Sequence, residues 1–154
     1  MKHQAFILTT VAFGIVVLSS FIGCKERAPE AIRQNVNAYF QTHDTKYLTE
    51  DAEFTDLTTG QVTKGREAIG QMLHHIYHEA FDAKAEIVST IVTENKAVLE
   101  ATFIGKHIGE FAGVAATGKD VKVPLCVVYD LSGEKIKSAR IYLLASVLFQ
   151  QIKG

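Results

Sequence analysis

Much of the second half of the chain alternates apolar and polar residues with a period of two, the mark of strands whose side chains point to opposite faces. Between Lys96 and His107, Ala97, Leu99, Ala101, Phe103 and His107 share one face, and Glu100, Thr102 and Lys106 the other. Between Lys119 and Leu131, Val121, Val123, Leu125, Val127 and Tyr129 form an apolar face opposite Asp120, Lys122 and Asp130. Pro124 falls on the more polar side, where an edge or bulge tolerates it. Lys84 to Thr93 predicts a further strand, turned at Glu94 and Asn95. Lys135 to Phe149 predicts a last long strand after the Ser132–Gly133 turn. There Ser138, Arg140, Tyr142 and Leu144 share one face, and Ala139, Ile141 and Leu143 the other. One apolar and one mostly polar face is the pattern of a half-buried antiparallel sheet.

The first half has helical periodicity. Ile32, Val36, Tyr39 and Phe40 give Glu30 to Thr42 one apolar stripe, entered through Pro29 and an acidic first turn. Asp44 and Thr45 cap a short helix, and Ala52 to Leu57 with Gln61 to Lys64 form a small hairpin. Gly65 to Phe81 predicts the longest helix, with Ile69, Met72, Leu73, Ile76 and Ala80 as its core stripe. Helices followed by long antiparallel strands predict an α+β fold, a cone-shaped curved antiparallel sheet wrapped over N-terminal helices. The concave face of such a cone lines a pocket. Val128, Ile141, Leu143 and Val147 leave apolar surface on the convex side, which predicts a homodimer.

The N-terminus stands outside this pattern. Lys2 and His3 precede the apolar run from Ala5 to Leu18, and F-I-G-C ends at Cys24. A basic start, an apolar core and a small residue before the cut describe a secretory signal. F-I-G-C resembles the bacterial lipobox, with Phe21 in place of the usual Leu, and implies acylation of Cys24. An uncleaved membrane helix is the alternative, since the run approaches the ~18 residues that can span a bilayer. The expected division is residues 1–23 signal, 24–29 tether and 30–154 a single domain of this 154-residue chain. An acylated Cys24 leaves only Cys126, so no internal disulfide is expected, and Cys126 reads as buried filler in V-P-L-C-V-V-Y. A formal charge of −1 without a basic run excludes an electrostatic case for nucleic acid.

Candidate chemistry concentrates between Phe103 and Val123, F-I-G-K-H-I-G-E-F-A-G-V-A-A-T-G-K-D-V-K-V, two strands joined by a loop with Gly109, Gly113 and Gly118. His107 ends the apolar face of the first strand. It reads either as proton-transfer group or as a ring capped by backbone. Asp56 ends an earlier strand and either points inward or bonds its own turn at Thr58 and Thr59. His74 and His78 lie one helical turn apart, but no third ligand accompanies them, so no metal is expected, and no cofactor is called for.

The loop segment G-K-H-I-G-E-F-A-G-V-A-A-T-G-K-D-V resembles the signature loop of the SnoaL-like polyketide cyclases, small α+β cones of the nuclear transport factor 2 superfamily. N-V-N-A-Y-F-Q-T-H-D, E-D-A-E-F-T-D, T-T-G-Q-V-T-K-G-R-E-A-I and A-R-I-Y-L-L-A-S-V-L-F-Q-Q-I are similar to other family elements in the same order. The resemblance implies an intramolecular aldol closure by a carboxylate and a pocket His, the latter matched by His107. Positions where it implies an acid hold Val121 and Leu144, and Asp120 is one residue out of phase. Asp56 is the inward acid left. Two functions follow. The first is a lipid-anchored module whose pocket holds a small hydrophobic or aromatic ligand against Phe103, Val121, Val123 and Tyr129, with His107, Arg140 and Tyr142 as polar contacts. The second is a cyclase or isomerase with His107 as general base and Asp56 orienting it. A third reading is an accessory protein acting through its dimer face.

Overall fold

The computed structural model describes residues 28–154, so the expected signal, Cys24 and most of the tether lie outside the described residues. Helix α1 spans Glu30–Thr42 and buries Ile32, Val36, Tyr39 and Phe40. Ala28, expected in the tether, is already part of the core. A 3₁₀ turn, Thr45–Tyr47, is capped by the Asp44 carboxylate, which accepts from Lys46 N.

Six strands form one sheet: β1 (Leu48–Asp56), β2 (Val62–Lys64), β3 (Phe81–Val92), β4 (Lys96–His107), β5 (Asp120–Ser132) and β6 (Lys135–Leu143). Their order is β2-β1-β6-β5-β4-β3. The sheet is mixed rather than antiparallel throughout, because β6 inserts beside β1 and runs parallel to it, Phe54 opposite Ala139. The β3-β4-β5-β6 run is an antiparallel meander, with Phe103 opposite Val123 and Tyr129 opposite Ala139. A bulge between Ile87 and Ser89 shifts the register in β3.

Two elements differ from their sequence expectation. The expected helix Gly65 to Phe81 is α2 (Arg66–His74) followed by a π-helix (His75–Ala80), and Phe81 already belongs to β3. The wide π turns change the phase, so Tyr77 is buried while Ile76 is only partly so. The expected strand to Phe149 stops at Leu143, and Ala145–Lys153 form helix α3. Leu148 and Ile152, one turn apart, drop into the core. With β6 gone, the start of β5 lacks a partner on that side. The Gln151 carboxamide takes its place, accepting from Lys122 N at 2.7 Å and donating to Lys122 O at 3.0 Å.

The concave face carries two packed clusters. One holds Tyr39, Phe40, Phe54, Leu99 and Tyr129, and the other Tyr77, Phe81, Phe103, Val121, Val123, Leu148 and Ile152. The loop from Ile108 to Lys119 seals the second. A side chain at Gly109 would place its Cβ 2.2 Å from Glu79 O, so only glycine lets the loop approach the end of the π-helix. Phe111 and Val114 exchange two backbone bonds around Ala112 and Gly113, both at positive φ, a two-residue turn that swings Phe111 onto Phe81 at 5.1 Å between ring centroids.

Candidate functional site

Four polar rings from three elements meet on the concave face. Tyr39 and His43 come from the last turn and the C-cap of α1, Tyr77 from the π-helix, and Tyr129 from β5. Ring centroids are 6.0 Å apart for Tyr39–Tyr129, 5.8 Å for Tyr39–His43 and 4.6 Å for His43–Tyr77. The rings continue from Tyr77 to Phe103 at 5.3 Å, Phe103 to Phe81 at 5.4 Å and Phe81 to His107 at 5.0 Å. This aromatic seam joins the two clusters from Tyr129 to His107. The placement follows from local structure: α1 puts positions 39 and 43 on one face, and the π phase change turns Tyr77 toward them.

Tyr39, Tyr77 and Tyr129 are each more than nine-tenths buried. Among the described residues their hydroxyls have no hydrogen-bond partner, yet none is sealed off. Burial pushes the Tyr77 phenol up to about 12. It drives Tyr39 and Tyr129 further above the ordinary phenol value, with smaller contributions from the neighbouring phenols. All three stay neutral donors at physiological pH. Burial, and secondarily the charge of His78, lowers His43 to about 4, so its imidazole is neutral too. No carboxylate bonds any of these four rings among the described residues. The arrangement suits hydrogen bonding to an uncharged molecule against aromatic walls.

The residues expected from sequence are divided among several places. Phe103, Val121 and Val123 do lie on the concave face with Tyr129, but Tyr129 sits in the other cluster. The space expected beside Phe103, Val121 and Val123 is occupied by Leu148 and Ile152 of α3. Arg140 and Tyr142 lie on the outer face, because Ala139, not Arg140, stands opposite Tyr129. Arg140 is engaged there by Asp130, which also holds Lys96 and Ser138. That network keeps the Asp130 carboxyl far below the usual carboxylate range, the Arg140 bond contributing most.

His107 is 0% exposed rather than at an opening. Its Nδ1 meets Thr117 Oγ1 at 3.0 Å, and Nε2 is buried without a partner. Asp56 does not orient it. Asp56 is level with Ile141, Val127 and Leu99 across the sheet, and His107 lies about 25 Å further along β4. The Asp56 carboxylate instead accepts from Thr58 N at 2.7 Å, the turn alternative. His74 and His78 are 5.2 Å apart between centroids, but Glu79 pairs with His74 and His75, and no cluster able to hold a metal is found among the described residues. Cys126 is a half-buried free thiol on the outer side of β5. Two open depressions lie away from the four rings, one of about 540 Å³ beside the start of α2 and one of about 570 Å³ outside β3, β4 and β5. Both are lined by charged side chains and touch none of Tyr39, His43, Tyr77 and Tyr129.

The helical stripe of the sequence marks Tyr39 as core, and nothing in the local pattern singles out His43 or Tyr77 beyond the place of His43 one turn after Tyr39, at the end of the helix.

Solved structures share this fold at low identity. A protein described as a SnoaL-like polyketide cyclase from Jannaschia sp. CCS1 superposes with a TM-score of 0.76 at 17% identity, over 84% of this chain and 98% of that one. A polyketide cyclase-like protein from Xanthomonas campestris pv. campestris gives 0.69 at 19% identity, over 79% and 96%. A protein of ketosteroid isomerase-like fold from Catenulispora acidiphila DSM 44928, in complex with trimethylamine, gives 0.65 at 19% identity, over 82% and 95%. No curated protein matches the chain in sequence. The family profile of the SnoaL-like polyketide cyclases matches residues 27–152, and the chain belongs to that family.

Proposed function

We propose that this domain binds a small, uncharged, hydrophobic or aromatic molecule against its concave face, and that an acylated Cys24 holds it at a bacterial membrane after export. The observation that carries the binding reading is the set of three buried phenols whose hydroxyls lack partners. A bound molecule with oxygen or nitrogen groups would satisfy them. The separation of Asp56 from His107 removes the acid–base pair on which the cyclase reading relied.

Native mass spectrometry of protein purified from its source tests the binding reading. A neutral small molecule carried by the wild type and lost in Tyr39→Phe/Tyr129→Phe is the expected result. Turnover of cyclic ketones that collapses in His107→Ala, with ligand retention intact, would transfer the function to the enzyme reading. Intact mass of detergent-extracted protein checks the anchor: the expected species begins at an acylated Cys24, and a soluble product starting elsewhere refutes it.

A homodimer through the outer sheet face completes the reading. Of the residues expected there, Ile141, Leu143 and Val147 pack against the core and Val128 is half-buried; the same outer face also carries Ile91 and Tyr142, both exposed, and Val98 and Cys126, both half-buried. Sedimentation velocity of wild type against Ile91→Lys is the check, a monomeric wild type being the refuting result.

A further inference from the structure

We propose that His43 is the hydrogen-bond acceptor of the concave site and selects ligands bearing a hydroxyl over hydrocarbons of the same shape. The inference rests on the binding reading above and assigns a residue that reading leaves idle. Tyr39, Tyr77 and Tyr129 are neutral phenols, good donors but weak acceptors. The strong neutral acceptor beside them is an imidazole ring nitrogen. The His43 ring lies between Tyr39 at 5.8 Å and Tyr77 at 4.6 Å, and among the described residues neither of its nitrogens has a hydrogen-bond partner.

Two independent features of the backbone aim at this ring. His43 adopts φ +51 at the C-cap, where its N–H donates to Tyr39 O at 2.8 Å. Glycine or asparagine usually fills this left-handed position, and other residues hold it at a cost. Strained positions of this kind gather at functional sites. On the opposite side, the π-helix brings Tyr77 across the imidazole, and π turns recur at such sites as well. The charge that acts on His43 is that of His78, and the His74–Glu79–His75 trio lies on the same helical stretch.

The test uses 2-naphthol and naphthalene as probes on the full chain, read by their own fluorescence, since the sequence has no Trp to obscure it. Wild type should bind 2-naphthol about tenfold more tightly than naphthalene, the range of one added hydrogen bond. His43→Phe should lower that preference severalfold, the loss falling mainly on 2-naphthol, which a merely structural role would not do. A preference undiminished in His43→Phe overturns this inference and leaves the binding reading standing. Failure of the wild type to bind either probe overturns both. A wild-type measurement stands independently of whether the variant folds: ¹⁵N resonances of the His43 ring should move with 2-naphthol and not with naphthalene, and equal movement with both overturns the assignment.

Discussion

Removing the ionisable ring at position 43 should flatten the acid limb of the stability curve. His43 has a folded pKa of about 4, against an ordinary value of 6.5, because burial disfavours the imidazolium. The unfolded chain therefore takes up a proton below about pH 6.5 that the folded chain refuses until about pH 4. Stability is fully present above that window and is lost as pH falls through it. A shift of about 2.5 units corresponds to about 3 kcal/mol at 1.36 kcal/mol per unit. That is a large share of the ~5–15 kcal/mol of an ordinary domain. The carboxylates with depressed values act lower down. Asp130, held chiefly by Arg140, and Glu79, held chiefly by His75, withdraw their contributions only as pH falls below their ordinary values of 3.8 and 4.5. Among the described groups whose values are shifted, His43 is the one that acts between about pH 6.5 and about pH 4.5. Urea midpoints by far-ultraviolet circular dichroism across that interval, for wild type and His43→Phe, give the comparison. Wild type should lose most of about 3 kcal/mol and the variant much less. Parallel profiles would refute the argument that this ring is buried neutral.

Three further outcomes follow from particular contacts. Thr117→Val removes the partner of Nδ1 on the fully buried His107 and should cost about 1–3 kcal/mol by thermal unfolding, with Thr117→Ser restoring most of it. Gln151→Ala opens the β5 backbone at Lys122, and its amide should exchange markedly faster while Val127, deep in the meander, keeps its protection. Gly109→Ala forces a methyl toward Glu79 O and should cost about 1–3 kcal/mol in urea titration, with Gly113→Ala, where nothing lies within 4 Å, affected only through its positive φ of 78°.

Alternation placed most strands, because β4 and β5 each bury one side against the helices and keep the other polar. It went wrong where two patterns share residues. The run from Leu143 to Phe149 has no Gly or Pro to stop a strand, yet Leu148 and Ile152 already carry helical spacing. Face assignment on β6 was the costlier matter. Ala139, Ile141 and Leu143 form the apolar side and turn inward, so Arg140 and Tyr142 had to turn out. The parallel β1–β6 pairing has no local signature at all, since its partners meet only through the assembled sheet. The phenol and imidazole set stayed hidden for the same reason. Tyr39, Tyr77 and Tyr129 are far apart in the chain, and a π insertion decides which way Tyr77 faces.

The placement of β6 has a bearing on how the molecule comes into being. It is the final strand, and it is the seam between the β1–β2 hairpin and the β3–β5 meander. Before it arrives those two pieces have no shared ladder, and Leu48 must wait for Ile136. Distant pairings of this sort slow a chain's search and leave unpaired edges exposed meanwhile. A nascent chain can hold both halves partly ordered, but it stitches them into one sheet only once Leu143 has emerged.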